Sequence, residues 1–209
     1  MRSSRSTVLE TAILGLLNSA PLHGYELRKQ LSELLGPFRA FSYGTLYPAL
    51  RSLQERGLLD SHEATVPVKT TKSVRLTTSG DTARSSGRRS RIVYELTDSG
   101  REYLQAVLAS SGPAAWEDEN FDVRFALFSQ TDAETRLRIL EGRRSRLTER
   151  LEAARQSAAR TNQQLDEYTF ELQRHGLEKV EREVRWLDDL ITQERGRTER
   201  PSTTHKERG

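Results

Sequence analysis

Four side chains between residues 43 and 51 carry groups that contact nucleic acids in known complexes. Hydroxyl and guanidinium groups of this kind meet phosphate oxygens, base edges and thymine methyl groups. The four residues are Tyr43, Thr45, Tyr47 and Arg51. Together they predict the polar, aromatic and basic front of a helix that enters the major groove of double-stranded DNA.

The segment around these side chains has the start, the end and the apolar face of a helix. Ser42 can accept a backbone N–H of the first turn, and Gly57 suits the left-handed conformation that often ends a helix. Leu46, Leu50 and Leu53 follow one another at spacings of four and three, so they share one face. We therefore predict a reading helix over residues 42–56 with its apolar back in a core.

Some residues of this helix allow a second interpretation. Tyr43 and Tyr47 can equally be aromatic core residues, although a first-turn position favours DNA contact for Tyr43 and Thr45. Gly44 either permits close approach to a phosphate or only relieves crowding. Pro48 lacks an N–H, so we expect a kink or an irregular first turn near it.

A second predicted helix, residues 25–35, offers further contacts. Arg28 and Lys29 can hold phosphates that orient the protein on the duplex, or they form an ordinary solvated charged surface. Tyr25 is expected to be half-buried, with its hydroxyl available to a phosphate.

Residues 61–68 and 91–96 are predicted to pair as a β-hairpin wing with a long tip. Between residues 64 and 94 the cations outnumber the acids by seven to one. The cations are Lys69, Lys72, Arg75, Arg84, Arg88, Arg89 and Arg91. Three interpretations stay open for the last three arginines: entry into a narrow A/T-rich minor groove, attraction to any polyanion, or a site for an anionic effector.

Four separated motifs in the first half of the chain carry a family resemblance. They are His23-Gly24-Tyr25-Glu26-Leu27, Ser42-Tyr43-Gly44-Thr45-Leu46-Tyr47-Pro48-Ala49-Leu50, Gly57-Leu58-Leu59 and Tyr94-Glu95-Leu96-Thr97-Asp98-Ser99-Gly100-Arg101. In this order they resemble the signature of PadR-type transcriptional regulators. The resemblance implies a winged helix-turn-helix DNA-binding domain followed by a helical dimerisation domain. The long wing tip departs from the family, in which this hairpin is usually short.

Two capped helices and a joint complete the first half. Thr7 to Glu10 has the form of a capping box before a helix over residues 8–19, and Thr97 is expected to cap a helix that runs to about 109. Ser111-Gly112-Pro113 has the composition of a joint between domains.

The second half of the chain has the pattern of long helices. Thr131 to Glu134 is a second capping box before a charged helix, and another helix is predicted over residues 177–195. Apolar residues follow one another along the latter in steps of three and four, as in a heptad repeat. They are Leu177, Val180, Val184, Leu187 and Ile191. We expect this seam to pack against a second copy of the chain and form a homodimer.

No catalytic or metal-binding pattern is present in the sequence. No serine has a histidine and an acid around it in a known motif, no glycine-rich phosphate loop occurs, and the four histidines lack partners at metal spacing. The chain has no cysteine, which excludes disulfides and thiolate sites. We therefore predict no enzymatic activity, no cofactor and no metal ion.

The two tryptophans allow either a packing role or, for one, a ligand role. Trp186 lies beside the heptad seam, which favours packing. Trp116 follows the joint, and some members of the resembled family hold flat aromatic ligands between subunits, so it could stack a small-molecule effector. Packing is the favoured explanation for Trp116, and the sequence does not locate an effector site.

Charge and hydropathy separate the halves and indicate the compartment. Residues 1–110 hold 15 Lys or Arg and 10 Asp or Glu, whereas residues 111–209 hold 18 and 20. A basic first half suits a nucleic-acid partner, and a near-neutral second half suits a protein partner. There is no long apolar run and no signal-peptide core, so we predict a cytoplasmic protein without a membrane partner.

These observations predict a mainly α chain with a small β-wing. A winged helix-turn-helix domain is expected over residues 1–110, a dimerisation domain of long antiparallel helices over 111–195, and a disordered tail over 196–209. The predicted function is that of a transcriptional regulator, a repressor that binds a pseudo-palindromic operator as a homodimer and responds to an effector. The alternative is a helical interaction module whose winged domain contacts protein, and the salt dependence of DNA binding separates the two.

Overall fold

The computed structural model describes residues 4–36, 43–64, 91–161 and 166–198. The chain forms two compact units: residues 13–103 form the winged unit, and residues 1–12 with 104–209 form the helical unit. Two helices have residues in both units, namely α1 (Ser4–Leu17) and α4 (Asp98–Ala109). The predicted fold class, mainly helical with a small antiparallel sheet and a winged helix-turn-helix, is confirmed.

The winged unit places two helices and a three-stranded antiparallel sheet in one chain segment. Its elements are β1 (Leu22–His23), α2 (Gly24–Leu35), α3 (Tyr43–Glu55), β2 (Leu59–Ala64) and β3 (Arg91–Leu96), with strand order β1-β3-β2. Leu27 and Leu31 of α2 and Leu46, Leu50 and Leu53 of α3 are almost completely buried. Burial of each such side chain stabilises the fold by about 1.5–3 kcal/mol.

The end of α3 follows the glycine rule that the sequence indicated. Gly57 has a φ of 70°, the left-handed region in which glycine has no steric penalty. The Leu58 amide donates to the carbonyl of Leu53 at 3.0 Å, and the Gly57 amide donates to Gln54 at 2.8 Å. These bonds satisfy the last carbonyls of α3. The helix itself continues through Pro48 without a break over residues 43–55, as expected, and the kink near Pro48 stays a prediction.

The wing strands pair in register from Leu59 opposite Leu96 to Ala64 opposite Arg91. The return strand lies at the predicted residues 91–96, whereas the outgoing strand occupies 59–64 instead of beginning at 61, and residues 65–68 lie outside the described residues. The sequence did not predict β1, because two residues show no periodicity of their own.

Helix α1 begins before its predicted start and is not capped by Thr7. The Thr7 carbonyl accepts the Thr11 hydroxyl at 3.0 Å, and the Glu10 carboxylate accepts the Ser6 hydroxyl at 3.2 Å. Glu10 therefore contacts a side chain one turn earlier, instead of reaching back to a helix start at Thr7. The capping-box prediction was wrong here because the helix extends to Ser4.

The helical unit packs short helices onto a long helical hairpin. Its elements are the end of α4, then α5 (Pro113–Trp116), α6 (Asp118–Ala126), a 3-10 turn (Phe128–Gln130), α7 (Ala133–Thr161) and α8 (Glu167–Thr198). Arg136 pairs with Glu194 and Arg155 with Glu181, so α7 and α8 run antiparallel. The buried cluster between the helices consists of Ala115, Phe121, Ile139, Leu140, Leu147, Leu187 and Ile191.

The predicted dimer seam lies inside this hairpin. Leu187 is fully buried and Ile191 nearly so, both in the cluster with α7, and Val180 and Val184 pack against the same cluster. Leu177 is half-buried at the edge of a groove between α7 and α8. Two residues of the seam, Leu187 and Ile191, thus pack within one chain, whereas Leu177, Val180 and Val184 stay partly exposed. The role of the seam in a dimer stays a prediction.

The starts of α7 and α8 also differ from the predictions. Asp132, not Thr131, caps α7: its carboxylate accepts the Thr135 amide at 2.8 Å, which lowers the pKa of Asp132. The Thr131 hydroxyl instead donates to the carbonyl of Leu127. Helix α8 begins ten residues earlier than predicted and continues past 195 to Thr198, because a single glycine at 176 costs a helix only about 1 kcal/mol.

Candidate nucleic-acid interface

One side of α3 is exposed and carries the polar side chains that the sequence predicted. Gly44, Thr45, Tyr47 and Arg51 are exposed, whereas Leu46, Ala49, Leu50 and Leu53 are buried. We call the four exposed positions the reading face. They supply a hydroxyl, a phenol and a guanidinium group within two turns of one helix, which is the donor set that base edges and phosphates accept.

Tyr47 belongs to the reading face and also packs within the winged unit. Its side chain is 47% exposed, and its hydroxyl and ring lie within 4 Å of the position that a side chain on Gly24 would occupy. The Tyr94 ring borders the same space. Burial, and secondarily Tyr47, raise the pKa of Tyr94. Both interpretations of Tyr47 thus have structural support: one edge of the ring packs, and the other meets solvent.

The buried back of α3 and one side-chain bond fix the position of the reading face. The Gln54 amide donates to the Ser61 hydroxyl at 2.8 Å and so links α3 directly to β2. Sequence reasoning missed this pair, because neither residue belongs to a motif. The sequence showed only a polar residue in the predicted reading helix and, seven positions later, a serine in the predicted strand.

The predicted contacts on α2 lie on its outer side. Tyr25 is 63% exposed rather than half-buried, and the Arg28 guanidinium lies 6.0 Å from the centre of its ring. Lys29 is exposed and pairs with Glu33 at 3.8 Å, one turn further along the helix. That ion pair is the ordinary surface arrangement that the sequence had left as an alternative for Lys29.

Several predicted contact residues lie outside what the structure describes. Ser42, Arg88 and Arg89 are among them, as are the other basic residues of the wing tip from Lys69 to Arg84. Tyr43 begins α3 and Arg91 begins β3. Their proposed roles in DNA contact are therefore predictions that rest on the sequence.

A set of contacts that we call the α4 clamp ties the first turn of α4 to the end of α3. The Thr97 hydroxyl donates to the Gly57 carbonyl at 2.7 Å and accepts the Gly100 amide at 3.0 Å, which confirms Thr97 as the cap. The Thr97 amide donates to the Leu58 carbonyl at 3.2 Å. A side chain on Gly100 would lie 2.1 Å from that same carbonyl oxygen, so only glycine fits there.

Both tryptophans are packed. A side chain on Gly142 of α7 would lie 2.4 Å from the Trp116 ring, so this glycine is what allows the ring to rest on the helix. The Trp186 ring meets Phe125 at 5.2 Å and Phe121 at 6.3 Å in edge-on geometry, between α6 and α8. Both rings therefore have packing contacts, with 41% of Trp186 left exposed, and an effector site stays unassigned.

Arg124 is a second residue that sequence reasoning missed. It is 4% exposed, and its guanidinium donates to the carbonyls of Val107, Leu108 and Ser110 at the end of α4. The signal in the sequence was a lone cation within the apolar run from Phe121 to Phe128.

Neither a metal centre nor a bilayer span is found within the ranges that the structure describes. No group of three or more His, Asp or Glu side chains there is arranged to hold a metal ion. No described helix has the length and apolarity needed to cross a membrane.

Comparison with known proteins finds a family model that is similar to the front of the chain. Residues 13–86 match the model of the transcriptional regulator PadR-like family. The chain is also similar to the negative transcriptional regulator PadR of Bacillus subtilis, with 29% identity over 106 residues, 51% of this chain and 48% of the relative. The match thus spans about half the length of that relative. These similar proteins are transcriptional regulators, a non-enzymatic role.

Solved structures match most of the chain, but at lower sequence identity than the curated relative. The crystal structure of Bacillus subtilis PadR in complex with operator DNA matches with 22% identity and a TM-score of 0.36, over 90% of this chain and 99% of that chain. The crystal structure of the PadR-like transcriptional regulator BC1756 from Bacillus cereus matches with 16% identity and a TM-score of 0.37, over 90% and 99%.

Proposed function

We propose that this chain is a PadR-like transcriptional regulator, the family whose model residues 13–86 match, and that it binds operator DNA as a homodimeric repressor. Each subunit places α3 in a major groove and its wing along the neighbouring backbone or minor groove. A small-molecule effector that binds one form of the dimer better shifts the operator affinity. The proposal places the chain in the cytoplasm, together with the DNA it regulates.

The observation that carries this proposal is the division of α3 into a buried and an exposed side. Four apolar residues anchor the helix in the core, and the reading face remains exposed without an acidic residue among its four positions. The similar protein from Bacillus subtilis is a negative regulator, which supports repression rather than activation.

Dimerisation has its own support on α8. Tyr168, Phe170 and Leu172 are exposed near the start of the helix, with 86% of Tyr168 accessible to solvent. Tyr168 and Leu172 lie four residues apart and so share one face of the helix, and soluble monomers rarely expose contiguous apolar patches. We expect this exposed part of α8 to contribute to the dimer beside the partly exposed residues of the predicted seam.

The first test removes the side chains at the start of the reading helix. We expect Tyr43→Ala combined with Thr45→Ala to weaken specific operator binding, at about 1–3 kcal/mol for each lost base contact. The fold should be retained, because Thr45 is exposed and the buried back of α3 is unchanged. Gel-shift titration on the operator and on a scrambled duplex measures the difference.

The control carries two alanine substitutions elsewhere. Thr192→Ala with Gln193→Ala changes two exposed positions of α8, outside the winged unit and away from Tyr168. Operator affinity of this control should equal that of the wild type, provided that light scattering shows an unchanged oligomer. Equal operator affinity of wild type and the Tyr43/Thr45 variant would show that α3 does not read the DNA.

The basic wing tip is expected to add mainly electrostatic affinity. Each phosphate contact steepens the log–log salt dependence of binding by about 0.9. Replacing Arg88 and Arg89 by Ala should therefore weaken binding to all sequences and flatten that slope by about one unit or more. Titrations at several salt concentrations measure the slope, and Lys179→Ala with Arg185→Ala on the exposed side of α8 is the matched control.

The same variant separates the three interpretations of the wing tip. A loss that is larger on A/T-rich flanks indicates entry into a minor groove, whose width sets the local potential. Unchanged DNA binding together with a lost response to an anionic small molecule indicates an effector site. If the wild-type protein shows no salt-dependent DNA binding at all, the alternative function, a winged domain that contacts protein, replaces the proposal.

A further inference from the structure

The reading helix α3 is joined to the sheet of the winged unit by a polar contact as well as by its buried leucines. The Gln54 side-chain amide donates to the Ser61 hydroxyl at 2.8 Å, and both side chains are half-buried. A hydrogen bond has a narrow range of distance and direction, whereas the burial of apolar side chains is non-directional. The leucines therefore hold α3 against the core, and the bond selects one position of the helix on β2.

A second contact lies two turns earlier on the same side of α3. Tyr47 precedes Gln54 by seven residues, a spacing that returns to one helix face. The Tyr47 hydroxyl lies 3.4 Å from the position that a Cβ atom on Gly24 would occupy, and the Tyr94 ring lies 3.6 Å from the same position. Tyr94 is in turn the cross-strand partner of Ser61. Two positions of one helix face thus lie beside two paired positions of the sheet.

These contacts also fix the direction of the strands that lead into the wing. Strand β2 continues from Ser61 to Ala64, which pairs with Arg91 at the start of β3. At about 3.3 Å per residue, the end of β2 lies roughly 10 Å beyond Ser61. A tilt of about 20° at Ser61 would move that end by roughly 3.4 Å, which is one nucleotide step along a DNA strand. All of these residues belong to one compact unit, residues 13–103.

We propose that Gln54 and Ser61 are positioning residues that fix where the wing meets DNA relative to the bases that α3 reads. The inference rests on the proposed function, because it requires an operator complex. With the bond in place, the reading face and the wing bind as one block, and the number of base pairs between their two contacts is constant. Without the bond, α3 keeps its base contacts, while the wing meets the DNA at several neighbouring steps.

The test maps where the wing lies on the operator. The chain has no cysteine, so a single cysteine at the exposed Glu63 of β2 carries one iron–EDTA group per subunit. Hydroxyl radicals from the iron cleave the DNA beside the wing. In the parent Glu63→Cys protein, cleavage should be confined to a short stretch at a fixed distance from each half-site. Adding Ser61→Ala should spread the cleavage over several further nucleotides and leave the base preference inside the half-site unchanged.

Two further variants separate positioning from a general loss of stability. Ser32→Ala removes another half-buried serine hydroxyl of the winged unit, whose bond to the Arg28 carbonyl stays within α2. Ser61→Thr keeps the hydroxyl, so both of these variants should retain the narrow pattern. Cleavage that spreads as far in either of them as in Ser61→Ala, or that does not spread in Ser61→Ala, overturns the proposal. If Ser61→Ala does not fold, Gln54→Ala is measured in the same way.

A second measurement needs no DNA. Gln54→Ala, Ser61→Ala and the double variant form a thermodynamic cycle in urea unfolding of the full chain. Each single change breaks the same bond, so the double variant should be less destabilised than the sum of the two, by roughly two- to ten-fold in the unfolding constant. Additive effects would show that Gln54 and Ser61 are not coupled in solution, which also overturns the proposal.

The failure of the proposed function looks different from the failure of this inference. A parent protein that binds and cleaves no operator, although the cycle shows coupling between Gln54 and Ser61, overturns both. A parent protein with one narrow cleavage pattern, which Ser61→Ala shares unchanged, binds operator DNA but does not use this bond to place the wing.

Discussion

Gly100→Ala is expected to destabilise the winged unit more than an alanine at any other described glycine of that unit. The new Cβ atom would lie 2.1 Å from the Leu58 carbonyl oxygen and 2.7 Å from a methyl carbon of Leu96. The carbonyl cannot retreat without losing its bond from the Thr97 amide. Overpacking of this kind costs about 3 kcal/mol, which lowers the melting temperature of a small domain by roughly 10–20 °C.

Thermal unfolding followed by circular dichroism, together with operator titration, measures this effect. Gly176→Ala is the matched control, since nothing lies within 4 Å of its added methyl group and it stands inside α8. Higher helix propensity should make that variant about 1 kcal/mol more stable. A Gly100→Ala protein that melts like the wild type would show that the close approach of α4 to Leu58 is not present in solution.

The second large effect is expected from Arg143→Met in the helical unit. The Arg143 side chain is 8% exposed and donates to the Glu183 carboxylate at 2.8 Å, to Asp118 at 2.5 Å and to the Trp116 carbonyl at 3.1 Å. The methionine side chain has no donor, so the Glu183 and Asp118 carboxylates and the Trp116 carbonyl lose these hydrogen bonds. We expect a loss of about 3 kcal/mol in the free energy of unfolding, at the low end for buried pairs, because both carboxylates keep contact with water.

The neighbouring Arg144 provides the control, since its ion pair with Asp188 is about half exposed on both sides. Arg144→Met should cost less than about 1 kcal/mol, as exposed pairs contribute little. Urea unfolding of the two variants beside the wild type tests the contrast. Equal midpoints for Arg143→Met and Arg144→Met would mean that burial does not strengthen the Arg143 contacts.

The effect of Arg143→Met should also depend on pH in one direction. The hydrogen bond from Arg143 lowers the pKa of Asp118 below its ordinary value of 3.8. A carboxyl group whose pKa is lowered by folding stabilises the folded state above its unfolded pKa and loses that contribution as the pH falls through the folded one. The stability difference between wild type and Arg143→Met should therefore be constant near neutrality and shrink below about pH 4.

The helices of the winged unit were largely predictable because local pattern and tertiary burial agree there. The leucines at positions 46, 50 and 53 are the buried back of α3, and Gly57 has the positive φ that its position suggested. The strand over residues 91–96 also lies where its β-branched and aromatic residues indicated. In each case one short segment contained the whole signal.

What the sequence missed has a common physical origin in contacts between distant parts of the chain. The periodicity of the α8 seam predicted a partner but not which one, because periodicity does not distinguish α7 of the same chain from a second copy. Residues Gly100, Gly142 and Arg124 acquire their roles from atoms on other elements, so single-sequence reasoning had no access to them. The start of α1 was missed because a helix can extend beyond a motif that resembles a cap.

The pairing of β1 with β3 has a consequence for the order of events during synthesis. Leu22 pairs with Tyr94 and His23 with Val93, about 70 positions later in the chain. At about 5–20 residues per second, a ribosome needs roughly 4–14 s to make the intervening segment. Helices α2 and α3 can form in that interval, but β1 and β2 have no partner strand until β3 has been made. The basic wing segment is therefore synthesised before β3, the strand that pairs with both β1 and β2, so it cannot yet be held in a sheet.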